Sequence, residues 1–134
     1  QLINSCRSFI YSTALPPGII ETTLKSIHFS KQCNNEREKV LSLAKYVSEH
    51  LQKLGLRVVG DSQIISIIIG DNESTVYVSE KLKSKGFWAL PIRPPTVPKG
   101  TSRIRFSFTA HHTQQCCEEL ISFFKKEGNY IDGL

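Results

Sequence analysis

The sequence predicts an α+β fold: a small antiparallel or mixed sheet with helices packed on one side, preceded by a long helix. Three observations lead there. Helical and extended segments follow one another as α-α-β-β-α-β-β-α. The β-β connections are short, which favours neighbouring strands within one layer and helices on a second. The best helical stripe and the best strand each show apolar side chains on one side only, as two packed layers require.

Taken in order, Arg7 to Thr13 read as an extended segment. Pro16-Pro17 open a helix that runs to about His28, since proline is tolerated in a first turn. Asn34 or Asn35 can cap the next helix. Its apolar residues Val40, Leu43, Ala44, Val47, Leu51 and Leu54 form an amphipathic stripe, and Gly55 ends it. Leu56 to Val59 is a short strand, followed by a turn at Gly60-Asp61-Ser62. Ile64 to Ile69 is almost all isoleucine, which suits a strand buried on both faces. Asp71-Asn72 start a third helix that reaches Lys85 and stops at Gly86. Phe87 to Ile92 is extended, and Arg93 to Gly100 is a loop stiffened by three prolines. Residues 103–108 alternate, with Ile104, Phe106 and Phe108 on one face and Arg103 and Arg105 on the other. Thr113 caps the last helix, with Cys117, Leu120, Ile121 and Phe124 inward and Gly128 beyond its end.

The 134 residues suit one domain with a real core. No apolar run is long enough for a transmembrane helix, and no membrane partner is expected. No signal peptide is visible, and there is no methionine, so a piece of a longer cytoplasmic protein is expected. The net charge of +5 raises a nucleic-acid reading, but the lysines are scattered and no Lys/Arg run exceeds two. Nucleic acid is therefore not an expected partner. Cys6, Cys33, Cys116 and Cys117 lack zinc spacing and read as reduced thiols.

Two places break the pattern of ordinary packing. Arg103 and Arg105 share a strand face next to the loop that carries Arg93 and Thr96. An arginine fork pairs with carboxylate or phosphate, and a solvated strand face is the plain alternative. Tyr11-Ser12-Thr13 precede a helix start, where hydroxyls and free N–H groups can hold phosphate or simply cap the helix. His111-His112 lack a third metal ligand, and no metal site is expected. No nucleophile elbow, dinucleotide loop or Walker loop is present.

Several motifs in order carry a resemblance to a family. They are Phe9-Ile-Tyr-Ser-Thr-Ala-Leu-Pro-Pro17, Ile69-Gly-Asp-Asn72, Ser79-Glu-Lys-Leu82, Gly86-Phe-Trp88, Ile92 through Arg105, and Thr109-Ala-His111. Across roughly residues 3 to 125 the chain resembles the C-terminal part of the α-oxoamine synthases, pyridoxal-phosphate (PLP) enzymes of fold type I. Arg93-Pro-Pro-Thr-Val-Pro98 is similar to the loop of the 8-amino-7-oxononanoate synthase branch. The 5-aminolevulinate synthase and glycine C-acetyltransferase types carry other loops and stand as the alternative.

The resemblance implies that residues 1–33 are the end of the large domain and the start of a connecting helix, with 34–134 the C-terminal small domain. It implies a homodimeric parent acyltransferase of biotin biosynthesis. That enzyme condenses L-alanine with a pimeloyl thioester, on coenzyme A or a carrier protein, to 8-amino-7-oxononanoate. Arg105 matches the arginine that binds the amino-acid carboxylate, and Arg93 and Thr96 match the loop beside the substrate. Thr13, with Ser12, matches the hydroxyl that reaches the cofactor phosphate. The Schiff-base lysine of the family falls before Phe9, outside this sequence, and Phe29-Ser30-Lys31 stands in the wrong place to replace it. The chain alone is thus expected neither to hold PLP nor to catalyse. A non-catalytic subunit or interaction module is the rival from another class.

Overall fold

The computed structural model describes residues 1–127 and divides into two compact units, Gln1–Asn34 and Asn35–Leu134. The expected helix end at Gly128 lies outside the described residues.

The regular elements of the first unit are all helices: α1 (Leu2–Ser5), α2 (Arg7–Ile10) and α3 (Pro17–Gln32). The extended segment expected over residues 7–13 is therefore corrected over Arg7–Ile10, which is helical. A strand needs a neighbour to take its backbone groups, and this unit offers none. Local bonds win instead, with Ile10 N–H donating to Cys6 O at 3.1 Å and Tyr11 N–H to Arg7 O at 3.1 Å. In α3 proline occupies the first position and the helix runs four residues past His28. None of its residues is buried, and Ile20, Leu24 and Ile27 recur at helical spacing as an exposed apolar stripe.

The second unit holds α4 (Asn34–Lys53, whose first residue closes the first unit), β1 (Val58–Val59), β2 (Ile64–Gly70), α5 (Asn72–Ser84), β3 (Leu90–Ile92), β4 (Ser102–Ser107) and α6 (Gln114–Glu127). The four strands form one antiparallel sheet in the order β1-β2-β4-β3. Its inner face carries Ile65, Ile67, Ile69, Ile104 and Phe106. They join Leu43, Val47 and Leu51 of α4, Val78 and Leu82 of α5, and Cys117, Leu120 and Phe124 of α6 in one core cluster. Helices on one side is thus what the burial pattern shows.

The isoleucine strand does not bury both faces equally. Ile64 is 40% exposed and Ile68 half-buried, whereas Ser66 between them is buried. β2 is central but antiparallel, so no helical crossover is forced onto its outer face.

Caps and turns fix the ends. Asp71 caps α5, its side chain accepting from Ser74 N–H at 2.8 Å. That hydrogen bond is the main reason its carboxyl titrates below the usual carboxylate value. Gly55, Gly60 and Gly86 hold positive φ where α4, the β1–β2 turn and α5 reverse. Ser102 is buried at the start of β4, its Oγ donating to Asn72 Oδ1 at 2.7 Å. This ties the loop end to the first turn of α5.

Candidate functional site

The sheet's outer face is where side chains point away from the helices. Period-2 geometry puts alternate β4 residues there, and pairing supplies their neighbours. Arg105 sits opposite Ser66 of β2 and Leu90 of β3. Arg103 sits opposite Ile68 and Ile92. Each guanidinium therefore rises from a row whose flanking side chains are apolar or small.

The two arginines differ in what they already hold. Arg103 is half-buried, and its Nε donates to Thr101 O at 3.1 Å. Arg105 is exposed and makes no ion pair or hydrogen bond among the described residues. Its five N–H donors are thus available for a planar anion. The ion pairs Lys25–Glu21 and Lys45–Glu49 are exposed helix pairs on α3 and α4.

The 93–100 loop leaves β3 beside the Ile92–Arg103 pair and returns at Ser102. Two tight turns shape it: Thr96 N–H donates to Arg93 O at 3.0 Å, and Thr101 N–H donates to Pro98 O at 3.2 Å. Arg93 and Thr96 are exposed, and neither side chain has a partner among the described residues. Strand register puts Arg103 and Arg105 on one face of the sheet, and the loop that carries Arg93 and Thr96 joins β3 to β4 beside Arg103.

Ser12 and Thr13 lie in the first unit, and both are exposed. Neither caps α3, whose N-cap is Pro16 without a side-chain bond. The capping alternative is corrected accordingly. Ser12 Oγ is occupied by Ser8 O one turn back, whereas the Thr13 hydroxyl has no partner among the described residues. Of the two, Thr13 has the hydroxyl free to donate to a phosphate.

The histidines divide in the same way. His112 Nδ1 accepts from Thr109 N–H at 2.9 Å, a structural role, and His111 is exposed. No cluster of three metal-ligating side chains occurs among the described residues. No described helix is long and apolar enough to cross a membrane.

Sequence reasoning missed Ser66 and Leu90, the neighbours of Arg105, because strand register is not written in either segment alone. It also missed a cavity at α6. This 560 Å³ space is lined by Lys85, Phe87, Glu118, Phe123 and Lys126 among others, and shares no residue with the arginine face.

Comparison with known proteins bears on the family and the fold. A Bacillus mycoides protein named "Putative 8-amino-7-oxononanoate synthase" is 40% identical over 132 residues, which are 95% of this chain and 33% of that one. The solved 8-amino-7-oxononanoate synthase of Francisella tularensis superposes with a TM-score of 0.81 at 25% identity, covering 96% of this chain and 38% of that one. Serine palmitoyltransferase from S. paucimobilis, solved with a bound PLP–myriocin aldimine, superposes with a TM-score of 0.84 at 26% identity, covering 99% of this chain and 34% of that one. The chain thus spans about a third of the length of the relatives it matches. The family model of aminotransferase class I and II matches residues 1–124. With a fold-type-I small-domain sheet and that match over nearly its whole length, the chain belongs to the class I and II aminotransferase family.

Proposed function

We propose that these residues are the C-terminal third of a PLP-dependent acyltransferase that condenses L-alanine with a pimeloyl thioester, releasing carbon dioxide and thiol, to give 8-amino-7-oxononanoate. In this reading residues 1–33 close the large domain and lead into the connecting helix, residues 34–134 form the small domain, and the parent is a cytoplasmic homodimer. The observation that carries the reading is Arg105, an exposed guanidinium without a partner among the described residues, set on the outer face of a central strand. Relatives of that name at about 40% identity support the choice of reaction.

When bound, PLP supplies an electron sink for the carbanion formed at the amino-acid α-carbon. This chain's residues fit such a group in part. Thr13 offers a hydroxyl to its phosphate, and Ser12, already bonded to Ser8, contributes less. Arg105 grips the amino-acid carboxylate with its planar fork, orienting the α-carbon. Arg93 and Thr96 border the acyl substrate from the loop. The lysine that carries the cofactor belongs to the part of the parent before Phe9.

The test has two arms. The 134-residue chain is mixed with PLP, reduced with borohydride and mapped by mass, and no lysine is expected to take a stoichiometric adduct. An adduct on one lysine, with an alanine-dependent spectral change, would overturn the division of labour. In the longer protein, Arg105→Leu is expected to lower kcat/KM for alanine by about a hundredfold or more, the loss of a charged bidentate contact. Unchanged alanine kinetics would remove Arg105 from the site. Serine or glycine outperforming alanine would move the assignment to a sister synthase.

A further inference from the structure

Away from the arginine face, a smaller cavity of 260 Å³ lies between the β3 approach, the end of β4 and the start of α6. Its lining includes Phe87, Trp88, Phe108, His112, Cys116 and Cys117. Three features set it apart from ordinary surface relief.

Trp88 is 76% exposed, yet it lines the cavity, and its ring carries the Lys83 ammonium 4.7 Å from its centroid. A large aromatic held at a rim instead of being buried offers a face for stacking. His112 has a defined tautomer. Its Nδ1 accepts from the Thr109 N–H at 2.9 Å, so in the neutral ring the proton is on Nε2. The ring also meets Phe108 edge-on at 6.0 Å. The cavity is thus bordered by aromatic walls and a ring with one N–H donor to give. Finally, two adjacent thiols line it and differ in character. Cys116 is half-buried, whereas Cys117 is 2% exposed and burial pushes its thiol up to about 11, so Cys117 stays protonated near neutral pH.

We propose that this cavity is a binding site for a planar aromatic ligand bearing a conjugated carbonyl, with Cys116 as the point of covalent capture. The ring packs against Trp88 and Phe87, and the carbonyl oxygen accepts from His112 Nε2–H. That hydrogen bond draws electron density from the conjugated double bond. Cys116 Sγ then bonds to the β-carbon, the π pair moves toward the oxygen, and the α-carbon takes up the proton given up by the thiol. The product is a thioether with no change of oxidation state overall, so neither oxidant nor reductant is required.

The test uses the full chain and two conjugated electrophiles, benzylideneacetone and the non-aromatic acrylamide. Adducts on Cys6, Cys33 and Cys116 are quantified by peptide mass mapping. Cys6 and Cys33 are half-buried like Cys116 and serve as matched controls. The Cys116-to-Cys33 adduct ratio is expected to be about tenfold higher with benzylideneacetone, and its rate at Cys116 to saturate with concentration. Trp88→Ala, at an exposed position that leaves the core untouched, is expected to bring that ratio back toward the acrylamide value. His112→Phe keeps the ring but loses the donor and is expected to lower it as well. The same thiol distribution with both reagents, or a ratio indifferent to Trp88→Ala, would overturn the proposal.

Discussion

Gly60→Ala tests the turn that sets the β1–β2 register, and its cost can be worked from the backbone. Gly60 sits at φ +110°, and a Cβ there would stand 2.5 Å from Ile64 O and 3.2 Å from Ile65 Cα. Both are backbone atoms of β2, so neither can swing aside as a side-chain end could. Gly86 is the control: it too has positive φ, at +88°, but a Cβ there meets nothing within 4 Å. Gly86→Ala should therefore show the conformational cost alone, about 1–2 kcal/mol. Gly60→Ala adds displacement of the start of β2, whose neighbour Gln63 O accepts from Phe108 N–H at 2.8 Å. The total should reach about 3–4 kcal/mol, in the range of backbone strain plus one lost hydrogen bond. Urea unfolding followed by circular dichroism measures both variants against the parent chain. If the two alanines cost the same within about 0.5 kcal/mol, the clash is relieved elsewhere and the register argument fails.

Asp71→Ala removes the α5 cap and should cost about 1 kcal/mol, read from the same unfolding curves. Because the Asp71 carboxyl titrates below its ordinary value of 3.8, its stabilisation is present above that pH and is lost as pH falls through the lower folded value. The acid limb of a pH–stability profile should therefore flatten in the variant. Cys117 runs the other way: its pKa is raised by burial from 9.0 to about 11, so its contribution is full below pH 9 and is lost as pH rises toward 11. Cys117→Val should flatten the alkaline limb of that profile. A polypeptide of residues 35–134 alone should melt cooperatively with the Trp88 and circular-dichroism transitions coincident, since every member of the core cluster lies within it.

The parts of the fold legible in the sequence are those set by local rules. The α4 stripe was readable because helical period alone decides it, and Leu43, Ala44, Val47 and Leu51 are all buried. Leu54, read as part of that stripe, is 38% exposed because the helix has already ended at Lys53. On α6 the stripe also buries Phe123, which the reading passed over; a helix packed in a core presents a wider face than a narrow seam. The 103–108 strand was readable because its alternation is strict, whereas the isoleucine run has no alternation to say which face is inward. Within residues 7–13 the helical Arg7–Ile10 was misread because β-branched and aromatic residues there signal a strand only where a partner strand exists, and pairing is not a local property. The candidate site was legible in its residue types but not in their separate roles. Thr13 and Ser12 look equivalent in sequence, and only the Ser8 contact distinguishes them.

The sheet's two faces divide the labour, and this makes Arg105 open to a clean test. Its strand neighbours Ile104 and Phe106 point into the core, at 0% and 7% exposure, and carry the packing. Arg105 itself lies on the other face, exposed and without a partner among the described residues. Removing an exposed, unpaired side chain leaves no cavity and no orphaned group, so Arg105→Leu should change stability by no more than about 0.5 kcal/mol. Ile104→Ala, one residue away, should cost about 2–5 kcal/mol through the cavity it opens. Thermal melts of the two variants on the 134-residue chain check the contrast. A large loss for Arg105→Leu would mean that the guanidinium holds the outer face together, and a kinetic defect of that variant in the longer protein could then no longer be read as lost carboxylate binding. A small one leaves ligand contact as what a kinetic defect there reports.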